Sequence, residues 1–350
     1  MKNVMILCGG ESGEHEVSLQ SANSILNEIP RDKYNVIPVG VDKKGDWWTG
    51  EDLLTNIEDP AKISLREDLS PAELKKGMLN GIPIDAVFSV VHGTHGEDGC
   101  MQGLFRMQKI PVVGSDVLGS SVAMDKDLSK RLLLQAGLPV ARCYVFSKES
   151  QDAIPYEQVV EELGKILFVK PASLGSSIGI SKCRTAEEYN KAIELAFTYD
   201  RKILVEEFID GREVEVAVLG NQEVKISLPG EIIPGGDFYS YDSKYIDGES
   251  TQYKIPTQLD DHVYNKIKEV ACKAFSLLEL SDLARADFFV RSNGSVILNE
   301  VNTLPGFTSI SMYPKLWGLS GISYPDLIDK LIQLALERHG VEAKLKRYWI

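Results

Sequence analysis

Hydrophobic and polar positions along this chain of 350 residues change period several times, and each change predicts an element. Asn3 to Cys8 is an apolar run. Leu19, Ala22, Ile25, Leu26 and Ile29 then recur at helical spacing, and Asn35 to Val41 is apolar again, giving a strand–helix–strand order. DAVFSVVHG (85 to 93) and IPVVG (110 to 114) predict two further strands, so residues 1 to 120 read as an open, largely parallel α/β sheet. Ligands of such sheets gather at the C-terminal ends of the strands.

A second unit, residues 121 to 213, opens with a helix over MDKDLSKRLLLQAG (124 to 137), stopped by Gly137 with Pro139 beyond. Strand KILFVK (165 to 170) runs into the small-residue loop PASLGSSIG, and Thr185 with Glu188 forms a capping box opening a helix to about Tyr199. ILVEEF (203 to 208) and EVEVAVLG (213 to 220) read as a hairpin. The unit is a small α+β module.

The third unit, residues 214 to 350, holds PGGDFYSYDSKYIDGES (234 to 250), a long loop without periodicity of the kind that serves as a lid. A helix follows, with Val263, Ile267, Val270, Ala271, Ala274, Phe275 and Leu278 on one face, and a last helix of about 325 to 339 stops at Gly340. Between them RADFFV (285 to 290) alternates, Ser292-Asn293-Gly294 is a turn, and Val296 to Val301 resumes the strand pattern. That hairpin brings Asp287, Glu300 and Asn302 together. Magnesium takes hard oxygen ligands, one or two carboxylates completed by substrate phosphates, so the trio points to a nucleoside triphosphate. The plainer reading is two solvated acids beside a turn.

Composition narrows the classes. Cys8, Cys100, Cys143, Cys183 and Cys272 are scattered, odd in number and free of any CxxC pair, which argues against a disulfide framework or zinc site and for a reducing cytoplasm. A formal net charge of −13 disfavours nucleic acid and anionic membranes as partners. MKNVMILCGG is too short an apolar run for a secretory signal, and no later segment has the length of a membrane span.

KPASLGSSIG (170 to 179) ends a strand with a lysine and continues in a loop whose backbone N–H groups suit an anion, but without Walker A spacing. Alone it reads as an ordinary turn; beside an oxygen-rich hairpin it reads as a phosphate loop. Glu206 and Glu207 end a strand where a carboxylate accepts from adenine or ribose, or simply faces solvent. Lys126, Lys170, this loop, the VEE strand and the D…NEVN hairpin, in that order, resemble the ATP-grasp superfamily. With GGESGEHEVS (9 to 18), HGTHGEDG (92 to 99), VVGS (112 to 115), MDKDLSK (124 to 130), YSYDSKY (239 to 245) and NEVNTLPGFTSISMYP (299 to 314), the whole chain resembles the D-alanine:D-alanine ligases.

The resemblance implies a three-domain ATP-grasp fold, a homodimer, ATP, and two Mg²⁺ ions for which Mn²⁺ substitutes. It also implies ligation of two D-alanines for peptidoglycan precursors. It gives Lys126, Lys170 and Ser177 to the nucleotide phosphates, and Glu206, Glu207, Ile209, Glu213 and Phe289 to the adenosine side. Asp287, Glu300 and Asn302 become metal ligands. Glu14 would hold the first D-alanine's ammonium in a network with Ser176 and Tyr245, and His92 would lie near it. Ser311 and Met312 would receive the second carboxylate. Lys244 would reach the transferred phosphoryl group, and Arg285 with the Gly306 N–H would face the oxyanion. Glu207 departs from relatives that carry lysine beside the adenine.

These roles answer a chemical need. A carboxylate is a poor electrophile, so it is activated as an acyl phosphate by alignment and charge neutralisation. Amine attack then places charge on the former carbonyl oxygen, where fixed donors matter most, and a lid keeps water from the acyl phosphate. His15 and His95 lack the companions of a zinc site, Trp47 and Trp48 read as packing, and Ser176 lies in no GxSxG elbow. The alternatives are a ligase taking D-serine or D-lactate second, and a nucleotide-binding protein without catalysis. Lys244 and Tyr245 argue against D-lactate; D-serine is less well excluded.

Overall fold

A computed structural model describes residues 1–149, 155–233 and 252–346. The loop 234 to 250, with Lys244 and Tyr245, lies outside the described residues.

The first sheet has at its centre three parallel strands, Ala86–Ser89, Lys2–Gly9 and Tyr34–Val41, in that order. Two short strands, Trp47–Thr49 and Ser70–Pro71, extend it antiparallel, so the parallel reading holds only for the middle. The stretch 110 to 114 is not a full strand: it touches the sheet through a single parallel bridge, Val87 to Val112. Helix His15–Glu28 buries Leu19, Ala22 and Ile25 against this sheet. The left-handed Gly9 and Gly10 turn the chain from strand to helix, and a Cβ on Gly9 would lie 2.0 Å from the Val41 carbonyl oxygen.

Two more sheets follow. The four strands Cys143–Ser147, Lys202–Glu207, Leu167–Pro171 and Ser181–Cys183 pair antiparallel in that order, with helices Tyr156–Leu163 and Ala186–Tyr199 closing a core around Val159, Tyr189 and Val205. Arg212–Gly220 does not pair with Lys202–Glu207 as a hairpin. It crosses instead into a third sheet, between Gly230–Ile233 and Asp282–Val290. Both segments alternate well, and alternation does not record which neighbour a strand takes. Gly211 permits the crossing: a Cβ there would meet the Val290 carbonyl oxygen at 2.9 Å.

Within single elements the departures from expectation are smaller. The helix expected over 124 to 137 forms as Lys126–Gln135, and a separate helix, Val117–Met124, precedes it, divided from it at Asp125, whose carboxylate accepts from the N–H groups of Asp127 and Leu128. Thr185 caps the Glu188 N–H, but the Glu188 carboxylate turns to the Arg184 N–H, so only half of the capping box forms. The last helix, Tyr324–Glu342, passes through Gly340, because helix C-termini tolerate one glycine at modest cost. Asp261–Leu277 matches its periodic face. The five cysteines are unpaired. No helix among the described residues is long and apolar enough to cross a membrane.

Candidate active site

Strand ends from all three sheets converge on an open cleft of about 210 Å³. The first sheet supplies Glu14 and His92. Glu14 lies at the N-terminus of helix His15–Glu28, where Ser12 binds its N–H and reaches the His92 carbonyl at 2.8 Å. Gly93, left-handed, leaves the room that the Glu14 carboxylate fills, since a Cβ there would stand 2.7 Å from it. From the second sheet comes Ser176, whose hydroxyl donates to Glu14. Ser176 and Ser177 both hold positive φ, +52° and +59°, a costly conformation for non-glycine residues that the loop nonetheless maintains.

The third sheet supplies the hairpin Asp282–Val290 with Val296–Asn302. Asp287 faces Glu300 and Arg285 faces Asn302, and a register shift after Asp287 turns Asn299 as well as Glu300 into the cleft. Arg285 grips Asp287 with Nε and a terminal nitrogen at 2.8 and 2.7 Å, and lies 3.1 Å from Glu215. Burial works against the guanidinium charge, yet Asp287 and Glu215 raise its pKa well above its usual range, so Arg285 is a permanent cation. Asn302 donates to Asp287 at 2.9 Å.

Lys126 and Lys170 do not line this cleft but lie behind it, Lys126 in an adjoining pocket that shares Glu97, Glu300 and Asn302 with it. Lys126 donates to the Leu174 carbonyl at 2.7 Å and stands 3.8 Å from Glu300; burial lowers its pKa against that attraction. Lys170 pairs with Glu206 at 2.5 Å, and although burial pulls its pKa down, Glu206 carries it above the usual value. Glu207 instead binds Arg142, through both its backbone and side chain. Glu213 and Phe289 line the cleft opposite one another across paired strands, and Ile209 is buried nearby in sequence. Gly306, Ser311 and Met312 close the far end, where the Ser311 hydroxyl binds the Thr308 N–H and hydroxyl at 3.0 and 2.7 Å.

Three residues that the sequence reading did not single out belong here. Glu97 stands 3.7 Å from His92; burial pulls the imidazole pKa down, but Glu97 and Glu14 bring it above the ordinary value. Glu215 supports Arg285, and Lys130 lies 3.1 Å from Glu206. Lys130 had a signal: it follows Lys126 by four residues on one helix, which puts both on one face. Glu215 sits at alternate spacing from Glu213, so it shares that residue's face. His15 serves packing, its Nδ1 against the Gly10 carbonyl at 2.8 Å, and Trp47 packs on Phe105.

The donor set of Asp287, Glu300 and Asn302 fits a hard divalent cation. The Asp287 and Glu300 carboxylates face each other across paired strands, and the Asn302 amide, which donates to Asp287, carries a third hard oxygen at the same place.

Two family models match the chain: "D-ala D-ala ligase N-terminus" over residues 3–115 and "D-ala D-ala ligase C-terminus" over residues 132–333. The D-alanine–D-alanine ligase of Shouchella clausii (strain KSM-K16) is 49% identical over 358 residues, covering 99% of this chain and 97% of its own. The D-alanine–D-alanine ligase structure from Coxiella burnetii superposes with a TM-score of 0.84 at 36% identity, covering 98% of both chains. The VanG D-Ala:D-Ser ligase structure from Enterococcus faecalis gives 0.83 at 35%, covering 95% of this chain and 99% of its own.

Proposed function

The chain belongs to the D-alanine–D-alanine ligase family, and from that premise we propose that it joins two D-alanines at the expense of ATP for peptidoglycan precursors. It is a ligase with the family's ATP-grasp fold. The observation that carries the substrate reading is the convergence in one cleft of a carboxylate held by a serine, Glu14 with Ser176, and a fixed cation, Arg285. An amino acid is a zwitterion, so it needs both signs at separate ends. Glu14 takes the first ammonium, with His92 beside it, and Ser311 and Met312 take the second carboxylate.

ATP is the co-substrate. Lys126, Lys170 and Ser177 hold its phosphates, and Glu206, Glu207, Ile209, Glu213 and Phe289 form the adenosine side. Asp287, Glu300 and Asn302 would hold Mg²⁺, or Mn²⁺, which supplies charge neutralisation of the phosphates when bound. Arg285 and the Gly306 N–H stabilise the oxyanion formed when the second amine attacks the acyl phosphate; phosphate then leaves. Lys244 and Tyr245 complete the site from the 234 to 250 loop. The domains are those expected from the sequence, 1–120, 121–213 and 214–350, with the last beginning instead at Arg212, where the strand Arg212–Gly220 enters the third sheet. The unpaired cysteines suit the cytoplasm, and the family reading favours a homodimer.

A D-serine acceptor is the second reading, favoured by the likeness to the D-Ala:D-Ser ligase. Incubating purified protein with ATP, Mg²⁺ and D-alanine alone, then with D-serine or D-lactate added, measures ADP and product mass. D-alanyl-D-alanine should dominate throughout; a mixed product in excess would overturn the acceptor assignment, and ADP without any condensed product would overturn ligation.

A further inference from the structure

Resting on the nucleotide reading of this site, we propose that Lys130 is a positioning residue that keeps the Lys170 charge available to a polyphosphate, acting through Glu206. Lys126 and Lys130 leave the same face of helix Lys126–Gln135 one turn apart. Lys170 and Glu206 lie on one face of the second sheet, diagonally across paired strands, since Phe168 opposes Glu206 and Leu204 opposes Lys170. Glu206 divides its carboxylate between the lysines, with Oε1 3.1 Å from Lys130 Nζ and Oε2 2.5 Å from Lys170 Nζ. The side chains of Lys130, Glu206 and Lys170 are 6%, 4% and 9% exposed, so water does little to screen them.

The charges at the buried centre of this wall do not balance. Around Glu206 two buried lysines, Lys130 and Lys170, share one buried carboxylate, an excess of one positive charge there, while Lys126 is countered by Glu300 and Glu97. An anionic phosphate chain is the chemistry that such an excess suits. Without Lys130, Lys170 and Glu206 would form a neutral pair, and the local excess would be gone. Glu206 would also lose one of the two cations that pull its pKa down against burial. Lys130 therefore neutralises Glu206, leaving Lys170 as a cation held in place but not spent. A lysine serving only to fill the interface would affect stability without discriminating between substrates.

The experiment uses the full-length protein with Lys130→Met, Lys130→Arg, Glu206→Gln and the double variant Lys130→Met/Glu206→Gln. ATP binding is measured by calorimetry, and KM for ATP and D-alanine by ADP release. Lys130→Met should weaken ATP by roughly 10- to 100-fold, the range of one charge-assisted contact, while KM for D-alanine changes by less than about twofold. Lys130→Arg should restore most of the loss. In the Glu206→Gln background the same change should cost much less, because no carboxylate remains to neutralise. Equal losses in both backgrounds, or parallel losses of ATP and D-alanine affinity, would overturn the proposal. Should Lys130→Met not fold, Lys130→Gln, which keeps a donor without charge, makes the same test. Wild-type protein that binds no ATP would remove the nucleotide reading itself, a result distinct from a wild type that binds ATP and a Lys130→Met variant that binds it equally well.

Discussion

Arg285 and Asp287 lie two residues apart on one strand and bind each other side by side, nitrogen to oxygen at 2.8 and 2.7 Å. Alternation puts both on the same face, and Glu215 on the neighbouring strand gives the guanidinium a second carboxylate. A carboxylate proposed to hold a metal thus keeps a fixed counter-charge, so it is tolerated in the cleft before any cation arrives.

Removing that carboxylate should therefore cost activity and little stability. Asp287→Asn and Glu300→Gln keep side-chain volume, and each is expected to lower turnover by at least about 100-fold by weakening metal and phosphate binding. The melting temperature should move only slightly, because Arg285 retains Glu215 in the first variant. ADP release measured across a Mg²⁺ series checks this; near wild-type release at low Mg²⁺ in either variant would refute the metal assignment.

Ser176→Ala should act on D-alanine, not ATP. Its hydroxyl bonds Glu14 across 162 residues of sequence, and losing a hydrogen bond to a charged group costs about 1 to 3 kcal/mol. The expected result is a raised KM for the first D-alanine with KM for ATP nearly constant. A raised KM for ATP alone would move Ser176 out of the amino-acid site.

Much of this was legible in the chain, for identifiable reasons. The Asp282–Val290 hairpin announced itself because its turn and alternation are local, and Asp287, Glu300 and Asn302 lie on it. Glu14 and His92 were legible only through the family motifs. The partner of a strand was not legible: Lys202–Glu207 and Arg212–Gly220 are adjacent in sequence but belong to different sheets, a choice made by tertiary packing. Lys130, Glu97 and Glu215 escaped notice for a related reason. Each acts on another side chain from a different segment, so its importance appears only when Glu206, His92 and Arg285 arrive beside it.

His92 sets a pH dependence with a definite sign. Its pKa is raised in the folded chain, with Glu97 and Glu14 outweighing burial, so the folded state holds the proton more tightly than the unfolded chain does. The resulting stabilisation is fully present below the ordinary histidine range and is lost as pH rises through the elevated folded value. Glu97→Gln should remove most of it, so the stability gap between wild type and variant should be widest at acid pH and close as pH rises. Urea unfolding across a pH series reads the gap, and a gap that widens with pH would contradict the assignment.

Asp282 tests the frame behind the site. It is fully buried, accepts from Gly114 N–H and Asn221, and pairs at 3.0 Å with Arg338, which also donates to the carbonyls of Val112 and Gly114. The network ties the first sheet to the beginning of the strand that carries Arg285 and Asp287. Arg338→Met leaves Asp282 without its cation and should destabilise the protein by about 3 to 5 kcal/mol. Denaturant unfolding measures it; a loss below about 1 kcal/mol would mean that Asp282 finds compensation elsewhere.

Gly306→Ala should disturb the acceptor end selectively. Gly306 has no left-handed backbone requirement, but an added Cβ would stand 2.8 Å from the Ser311 hydroxyl. That oxygen is the movable atom, and shifting it breaks its contacts with the Thr308 N–H and hydroxyl. If Ser311 receives the second carboxylate, KM for the acceptor D-alanine should rise by roughly tenfold, the cost of about one hydrogen bond to a charged group. The first D-alanine, proposed to sit at Glu14, should be affected much less. Velocity curves that separate the two D-alanine constants make the comparison, and Ser311→Ala should reproduce the pattern. A rise confined to the first constant would show that the Gly306 and Ser311 end of the cleft is not where the acceptor binds.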